Sequence, residues 1–280
     1  MNRIIHKLVA KDGQYMVMPP WCEGQVGWGN MAHPEVYEET AQPAYPIGTK
    51  FVDGDRIWRY VQAGNSIVRG RGLAAWNAYS TPTSGDGTTR ETATIAAAQV
   101  IDATTLSCTD QGTITVADLF AGGYAMVYWE FLCLRVVSST IEDASGLFEV
   151  TIDRPLPVAI ANTSNVTLYR NKYADVRYFS GGANMQFGSY VCVSHYTATD
   201  TYYFWGQTWG PAGMSGTDHV GASGDERQVV FDQGGSLLVH SADTTKSYQH
   251  AGYLIPYTGP STGGQDQPGA FIFVELQIAP

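Results

Sequence analysis

Apolar and polar residues alternate along most of this chain, in short segments. Residues 147–152 carry Phe148, Val150 and Ile152 on one side, and residues 271–278 repeat the pattern. A period of two is the signature of a β-strand with one buried face. Turn-forming residues separate such segments about every ten positions, which predicts an all-β protein of one or two sandwich or barrel units. Further segments of this kind are residues 50–52, 56–61, 166–169, 176–179, 190–196, 228–232 and 237–240.

Residues 201–211 break the alternation, because large rings occupy both sides of one segment. A strand that is apolar on both faces must be covered on both faces. We therefore predict a central strand here, ended by Gly210 and Pro211.

Two short sequences predict local structure. Asp53-Gly54 lies between two alternating segments, which is a strong hairpin signal. Thr115 predicts the start of a short helix, which Gly122 and Gly123 would end. Residues 93–101 fit either a short helix or a strand.

Residues 1–46 contain prolines and aromatics but little periodicity. Because proline disfavours both helices and central strands, we predict an extended arm. The arm either wraps its own domain or reaches a neighbouring subunit. The predicted organisation is this arm, a β domain at 47–180, and a second β unit at 181–280 whose C-terminal strand returns to a sheet.

Charge argues against nucleic acid as a direct ligand. The 280-residue chain has a net charge of -10, and only 15% of its residues are charged. Phosphate binding needs clustered Lys and Arg, which are dispersed here. Lys11 and Asp12 interrupt the apolar stretch that follows Arg3 and Lys7, so this stretch does not form a secretory signal. Synthesis in a cytoplasm is therefore expected. No membrane role is predicted.

The four cysteines are far apart in sequence and form no CxxC pair. A zinc site and a disulfide framework are therefore not predicted, and all four are interpreted as buried thiols. The six histidines show no HExxH pattern. We predict no metal, cofactor or catalytic residue.

A jelly-roll glycosidase is the enzymatic alternative, because it needs two carboxylates that face each other across a groove. Glu130, Glu149 and Asp153 are the candidate acids. Glu130 lies among Tyr128, Trp129 and Phe131, where burial would raise its pKa. The simpler interpretation is a strand residue facing solvent or an arginine.

Four segments in succession resemble a group of tailed-bacteriophage structural proteins, the capsid decoration or cement proteins. The segments are residues 47–64, 116–124, 148–173 and 203–211, and the resemblance covers roughly residues 47–240. It implies a β-rich, non-enzymatic homotrimer on the capsid surface of the virion, which binds the major capsid protein. The first 46 residues are not part of the resemblance.

Exposed rings would dominate such an interface, since Trp and Tyr carry much of the binding energy at protein interfaces. At least half of the rings in residues 201–211 are expected in the core. The main alternative is a tail or fibre adsorption protein, in which Tyr202, Trp205 and Trp209 stack on host glycan. The predicted interface residues are Ile4, Trp21, Trp28, Tyr37, Tyr202, Trp205 and Trp209.

Overall fold

The computed structural model is an all-β protein, as the alternation predicts. It describes residues 8–11, 14–17, 34–75, 90–109, 114–179, 189–216, 220, 227–242, 248–255 and 271–280. The chain forms two compact units. One comprises Met1–Trp76 with Tyr173–Pro280, and the other comprises Asn77–Lys172. Among the described residues, no helix is long and apolar enough to cross a membrane.

The discontinuous unit is built on one antiparallel sheet, which has twelve strands among the described residues. Its main path runs β1-β2-β3-β4-β14-β18-β17-β15-β16, while β13 joins β14 to β5 and β5 pairs with β12. The strands are β1 (Leu8–Lys11), β2 (Gln14–Val17), β3 (Lys50–Asp53), β4 (Arg56–Gln62), β5 (Arg71–Ala75), β12 (Val176–Arg177), β13 (Ser189–Ser194), β14 (Tyr203–Ser215), β15 (Gln228–Phe231), β16 (Leu237–Val239), β17 (His250–Leu254) and β18 (Phe271–Gln277). A 3-10 turn follows β16 at His240–Ala242.

The Asp53-Gly54 signal marks the turn between β3 and β4. Asp53 pairs with Arg56, so Gly54 and Asp55 form the two-residue connection. Gly54 has φ 62°, a left-handed conformation that glycine adopts without strain.

Regular pairing begins earlier than predicted. The β1–β2 hairpin precedes residue 47, and β2 pairs with β3 along its length. The prolines of this region lie at positions 19 to 46, which leaves residues 8–17 able to form ladder hydrogen bonds. Described residues 34–46 contain no strand element, although Thr40 forms an isolated bridge with Tyr203.

Strand β14 is buried on both faces over residues 204–208, but it continues past Gly210 and Pro211 to Ser215. Pairing with β4 ends at Trp209, whereas pairing with β18 continues. The Pro211 carbonyl accepts a hydrogen bond from Gln207 Nε2 at 2.9 Å, on the side where β4 has ended. Since the nitrogen and carbonyl of a strand residue point the same way, the missing N–H of Pro211 removes no ladder bond to β18.

The C-terminal strand β18 lies between β14 and β17. Its buried residues Ile272, Val274 and Leu276 alternate with the exposed Phe273 and the half-buried Glu275. They join a core cluster that also includes residues of β15 and β17.

The second unit is a closed six-stranded barrel with antiparallel neighbours throughout, in the order β10-β7-β6-β11-β8-β9. Phe148, Val150 and Ile152 point into its core, as predicted. Side chains from all six strands fill this interior. The strands are β6 (Arg90–Ile95), β7 (Thr105–Thr109), β8 (Tyr124–Val127), β9 (Leu132–Ser139), β10 (Leu147–Ile152) and β11 (Asn165–Tyr169).

The helix predicted at Thr115 is a series of turns. Asp118 N–H donates to Ser139 O at 2.7 Å, and Gly122 N–H donates to Val136 O at 2.8 Å. Backbone groups that a helix would use internally are thus bonded to β9, which overrides the weak local signal. Of residues 93–101, the first three belong to β6 and the rest form a turn and a bridge.

The compact units divide the chain at residues 76/77 and 172/173, whereas the sequence suggested boundaries at 46/47 and 180/181. Residues 77–90 are rich in Ser, Thr and Gly, so the composition does change just after the 76/77 boundary. The barrel interrupts the sheet in sequence because β5 pairs with β12 and β13, which follow the barrel along the chain.

Candidate docking surface

The three aromatic residues predicted to stack on glycan, Tyr202, Trp205 and Trp209, do not form one exposed surface, because Trp205 is buried. Trp205 is 2% exposed, and its ring centroid lies 5.1 Å from those of Tyr45 and Tyr60. Tyr202 and Trp209 are half-buried. Trp205 is therefore a core residue and not an exposed interface residue, because neighbouring rings enclose it.

Tyr37 is the most exposed of the predicted interface residues that the structure describes, at 48%. Its ring contacts Trp58 edge-on at 6.2 Å, and its hydroxyl accepts a hydrogen bond from Arg56 at 3.4 Å. Tyr37 thus covers the edge of the sheet core and remains accessible. Three other predicted residues, Ile4, Trp21 and Trp28, lie outside the described residues.

His195 lies against this aromatic core, with its ring 5.3 Å from that of Trp58. Loss of hydration lowers the pKa of His195 to about 4, opposed by a hydrogen bond with Gln207 and reinforced by the charge of Arg56. Its Nε2 is enclosed and has no hydrogen-bond partner among the described residues. A neutral imidazole at neutral pH suits a packing role.

The candidate glycosidase carboxylates lie apart in the barrel. Glu130 lies in the turn between β8 and β9, whereas Glu149 is exposed near the start of β10. Strand polarity places these positions toward opposite ends of the barrel. Asp153 lies at the same end as Glu130 and pairs with Arg154 at 3.4 Å. The fold does not bring Glu130 and Glu149 together across a groove.

Three loops meet at one end of the barrel. Because neighbouring strands are antiparallel, the chain leaves this end after β6, β8 and β10 and re-enters it at β7, β9 and β11. Gln99 and Ile160 exchange backbone hydrogen bonds of 2.8 and 3.0 Å, and Tyr128 N–H donates to Asn165 O at 2.9 Å. We call residues 96–104, 128–131 and 153–164 together the apolar end.

The apolar end carries the two most exposed large hydrophobic residues of the described chain. Phe131 is 94% exposed and Trp129 is 81% exposed. Three aliphatic side chains are also exposed there, Val100, Ile101 and Val158. At the opposite end, the exposed large hydrophobics include Val116 and Ile141, and also Tyr124 at the start of β8. Clustered exposed apolar residues of this kind mark interaction sites.

The backbone of the apolar end adopts unfavourable conformations. Trp129 has φ 71° and Phe131 has φ 52°, and Asp102 and Thr163 are also left-handed, at φ 70° and 66°. This region is disfavoured for residues with a Cβ, most strongly for bulky ones. Strained residues of this kind cluster at binding sites, where the surrounding structure holds them in place.

Acidic groups outnumber basic ones at the apolar end. The ionisable side chains of its three loops are Asp102, Glu130, Asp153 and Arg154. Arg154 pairs with Asp153, which leaves Asp102 and Glu130 without a cation in these loops. One carboxylate oxygen of Glu130 is enclosed and has no hydrogen-bond partner among the described residues.

The cysteines agree only in part with the buried-thiol interpretation. Cys108 and Cys192 are buried, and burial raises the pKa of Cys108 to about 12. Cys133 is exposed because it faces outward on β9, and Cys22 lies outside the described residues. Within the described ranges, no group of three or more His, Cys, Asp or Glu is placed to hold a metal ion.

Sequence reasoning missed the exposure of Trp129 and Phe131. Residues 124–134 contain no Gly, Pro, Asn or Asp, so nothing local predicts the turn at 128–131. The turn arises because β8 and β9 pair with each other on either side of it.

No family model, curated protein or solved structure matches the chain.

Proposed function

We propose that this chain is a non-enzymatic virion structural protein of the decoration or cement class, which binds the outer surface of a tailed-phage capsid and stabilises its lattice. The observation that carries the proposal is the apolar end, with Trp129 and Phe131 almost fully exposed. A docking protein needs such rings at its surface, since buried Trp and Tyr side chains dominate interface energetics.

The closed barrel supports the same proposal. Its six strands leave no unpaired edge, so pairing with another sheet is blocked within this unit. Attachment through the barrel then depends on its loops. The resemblance in residues 47–240 and the net charge of -10 fit a soluble protein that binds other proteins.

Attachment through several copies would strengthen weak individual contacts. A homotrimer that engages neighbouring capsid subunits raises the effective concentration of each further contact. This explains how a small apolar surface on each copy could hold the protein on a lattice. The major capsid protein and a second copy of this chain are the proposed partners.

The test uses heads of the phage that encodes the chain, purified from a strain that lacks its gene. The full chain is added back, and co-sedimentation and electron microscopy measure its binding. We expect saturable, regularly spaced density on the outside of the head and greater resistance of the head to heating. Absence of binding to heads, with binding to tails instead, would contradict the proposal.

Glycan binding by a tail or fibre adsorption protein is the second candidate, and the open ring of Trp129 favours it, because sugars stack on exposed aromatic faces. The test is a glycan array probed with the wild-type chain and with Trp129→Ala. Glycan binding that is lost in this variant would favour the adsorption function. The Glu130–Glu149 glycosidase gains no support from the barrel geometry.

A further inference from the structure

Trp129 and Phe131 both lie at the tip of the β8–β9 hairpin, separated by one residue. Both expose most of their side chains, whereas the residues on either side of the turn, Val127 and Leu132, are buried and half-buried. A single exposed apolar residue needs no explanation, but two large rings exposed in the same four-residue turn call for one.

The hairpin beneath this tip is held firmly. Four consecutive residue pairs join β8 to β9, from Tyr124–Arg135 to Val127–Leu132. The Tyr128 hydroxyl accepts a hydrogen bond from Thr167 Oγ1 at 3.1 Å. The two rings therefore start from a fixed base, and their binding loses less conformational entropy than that of a mobile loop.

The backbone at the tip is less stable than a glycine turn would be. Trp129 and Phe131 both occupy left-handed conformations, where glycine is free of strain. Bulky rings at these positions reduce folding stability and leave apolar surface in water. A binding role accounts for both features, because the rings then become buried against a partner.

The other two loops at this end of the barrel also expose apolar side chains. Val100 and Ile101 lie between Gln99, which bonds to Ile160, and Asp102, whose N–H donates to Leu156 O at 3.0 Å. Val158 lies between those same two bonded positions on the facing loop. The three exposed aliphatic side chains therefore lie together at the same end of the barrel as the rings.

Charge distinguishes between possible partners. In sequence, Glu130 lies between Trp129 and Phe131 and Asp102 follows Ile101, and the protein carries a net charge of -10. An anionic membrane surface would repel both. A protein cleft with an apolar floor and a rim of Lys or Arg would match the apolar tip and neutralise the two carboxylates.

We infer that Trp129 and Phe131 are paired anchors that insert into an apolar cleft with a basic rim on a partner protein. This inference rests on the proposed function, under which the cleft lies on the capsid surface. The carboxylates of Asp102 and Glu130 orient the protein by their attraction to the basic rim of the cleft.

The decisive variant is the double substitution Trp129→Gly with Phe131→Gly. It removes both rings and relieves the left-handed strain, so the barrel should fold at least as well as the wild type. The matched control is Ile141→Ala, which trims an exposed apolar residue of 55% exposure at the opposite end. Binding of each full-length chain to the gene-deleted heads is measured alongside its melting temperature.

The expected result is a loss of affinity of about 30-fold or more in the double variant, as for truncated hot-spot residues, with the control within about threefold of wild type. Binding of the double variant within about threefold of wild type would overturn the inference and leave the proposed function intact. Failure of the wild-type chain itself to bind heads would overturn the proposed function, and the inference with it.

A second variant tests the charge of the rim. Asp102→Asn with Glu130→Gln keeps side-chain shape, and Asn tolerates the left-handed conformation at position 102. We expect association with heads to slow by about threefold to tenfold and to depend less on salt, because steering is lost. Association faster than that of the wild type would show that the rim of the partner's cleft is acidic, and it would overturn the inference.

Two further probes test other partners of the same surface. They are vesicles of phosphatidylcholine with phosphatidylglycerol, and a glycan array. Binding of the wild-type chain to either probe, lost in the Trp129→Gly/Phe131→Gly variant, would replace the protein cleft with a membrane or a sugar and overturn the inference.

Discussion

Two groups of aromatic residues in this protein lie in opposite environments. In the sheet unit, Trp205 is enclosed by Tyr45, Phe51 and Tyr60 at centroid distances of 5.1 to 5.7 Å. In the barrel, Trp129 is almost fully exposed at the tip of a hairpin. The difference teaches that ring content alone does not identify a binding surface, because burial depends on which strands pair around the ring.

The largest expected effect separates these two groups directly. Trp205→Ala should lower the free energy of unfolding by about 3–5 kcal/mol, because it removes a ring from a packed cluster and leaves a cavity. Trp129→Ala should change it by no more than about 0.5 kcal/mol, as for an exposed side chain. Urea unfolding of both variants measures the two values. Similar losses in the two variants would contradict the assigned environments.

The next effect concerns the pH dependence of the buried cluster. The pKa of His195 is about 4 in the folded protein and about 6.5 when exposed. Between these pH values the unfolded chain binds more protons than the folded chain. The stability gained from keeping His195 neutral is therefore fully present above pH 6.5 and is lost as pH falls toward 4. The loss is about 3 kcal/mol in total, at about 1.4 kcal/mol per pH unit.

Denaturant unfolding from pH 7 to pH 4 measures this effect. His195→Gln should flatten the decline, whereas His250→Gln, at an exposed position, should leave it unchanged. A wild-type slope that persists in His195→Gln would assign the pH dependence to other groups.

Backbone strain within the sheet unit is expected to have a smaller effect on stability. Gly210 has φ 88°, and a Cβ there would lie 2.3 Å from Asp55 O. Gly54 has φ 62° and open space around it. Gly54→Ala should cost about 1 kcal/mol through strain alone, and Gly210→Ala about 2–3 kcal/mol through strain and the clash. Thermal unfolding of both variants tests the difference, and equal costs would exclude the clash.

The smallest effect has the opposite sign. Trp129→Gly should raise the free energy of unfolding by about 0.5–1 kcal/mol, because glycine relieves the left-handed strain and no buried contact is lost. A precise thermal unfolding comparison with the wild type measures it. A lower stability would mean that the Trp129 ring packs against the barrel and is not displayed for a partner.

The sequence predicts the fold correctly where apolar and polar residues alternate or where a turn-forming pair is present. The alternation at Phe148, Val150 and Ile152 predicts the inner face of β10, and Asp53-Gly54 predicts the β3–β4 turn. These succeed because periodicity and turn chemistry act over a few residues. The helix predicted at Thr115 failed, because hydrogen bonds to β9, distant in sequence, outweigh weak local preferences.

The candidate site was harder to predict than the fold. The run around Trp205 is rich in rings, but only Phe204 and Trp205 are buried in the core of the sheet unit. Tyr202, Tyr203 and Trp209 are half-buried. In the sequence, the carboxylate of Glu130 suggests a catalytic acid, whereas in the structure the flanking rings of Trp129 and Phe131 are the exposed groups. Exposure depends on long-range pairing, and a single sequence does not specify that pairing.

The sequence alone determined that this protein is built from β-strands, since a two-residue period fixes which side chains share a face. It also determined the low and acidic charge. The tertiary structure decided which aromatic residues are buried, where Pro211 is tolerated, and how the barrel interrupts the sheet. These outcomes depend on pairings between residues far apart along the chain, whose free energies local sequence patterns do not encode.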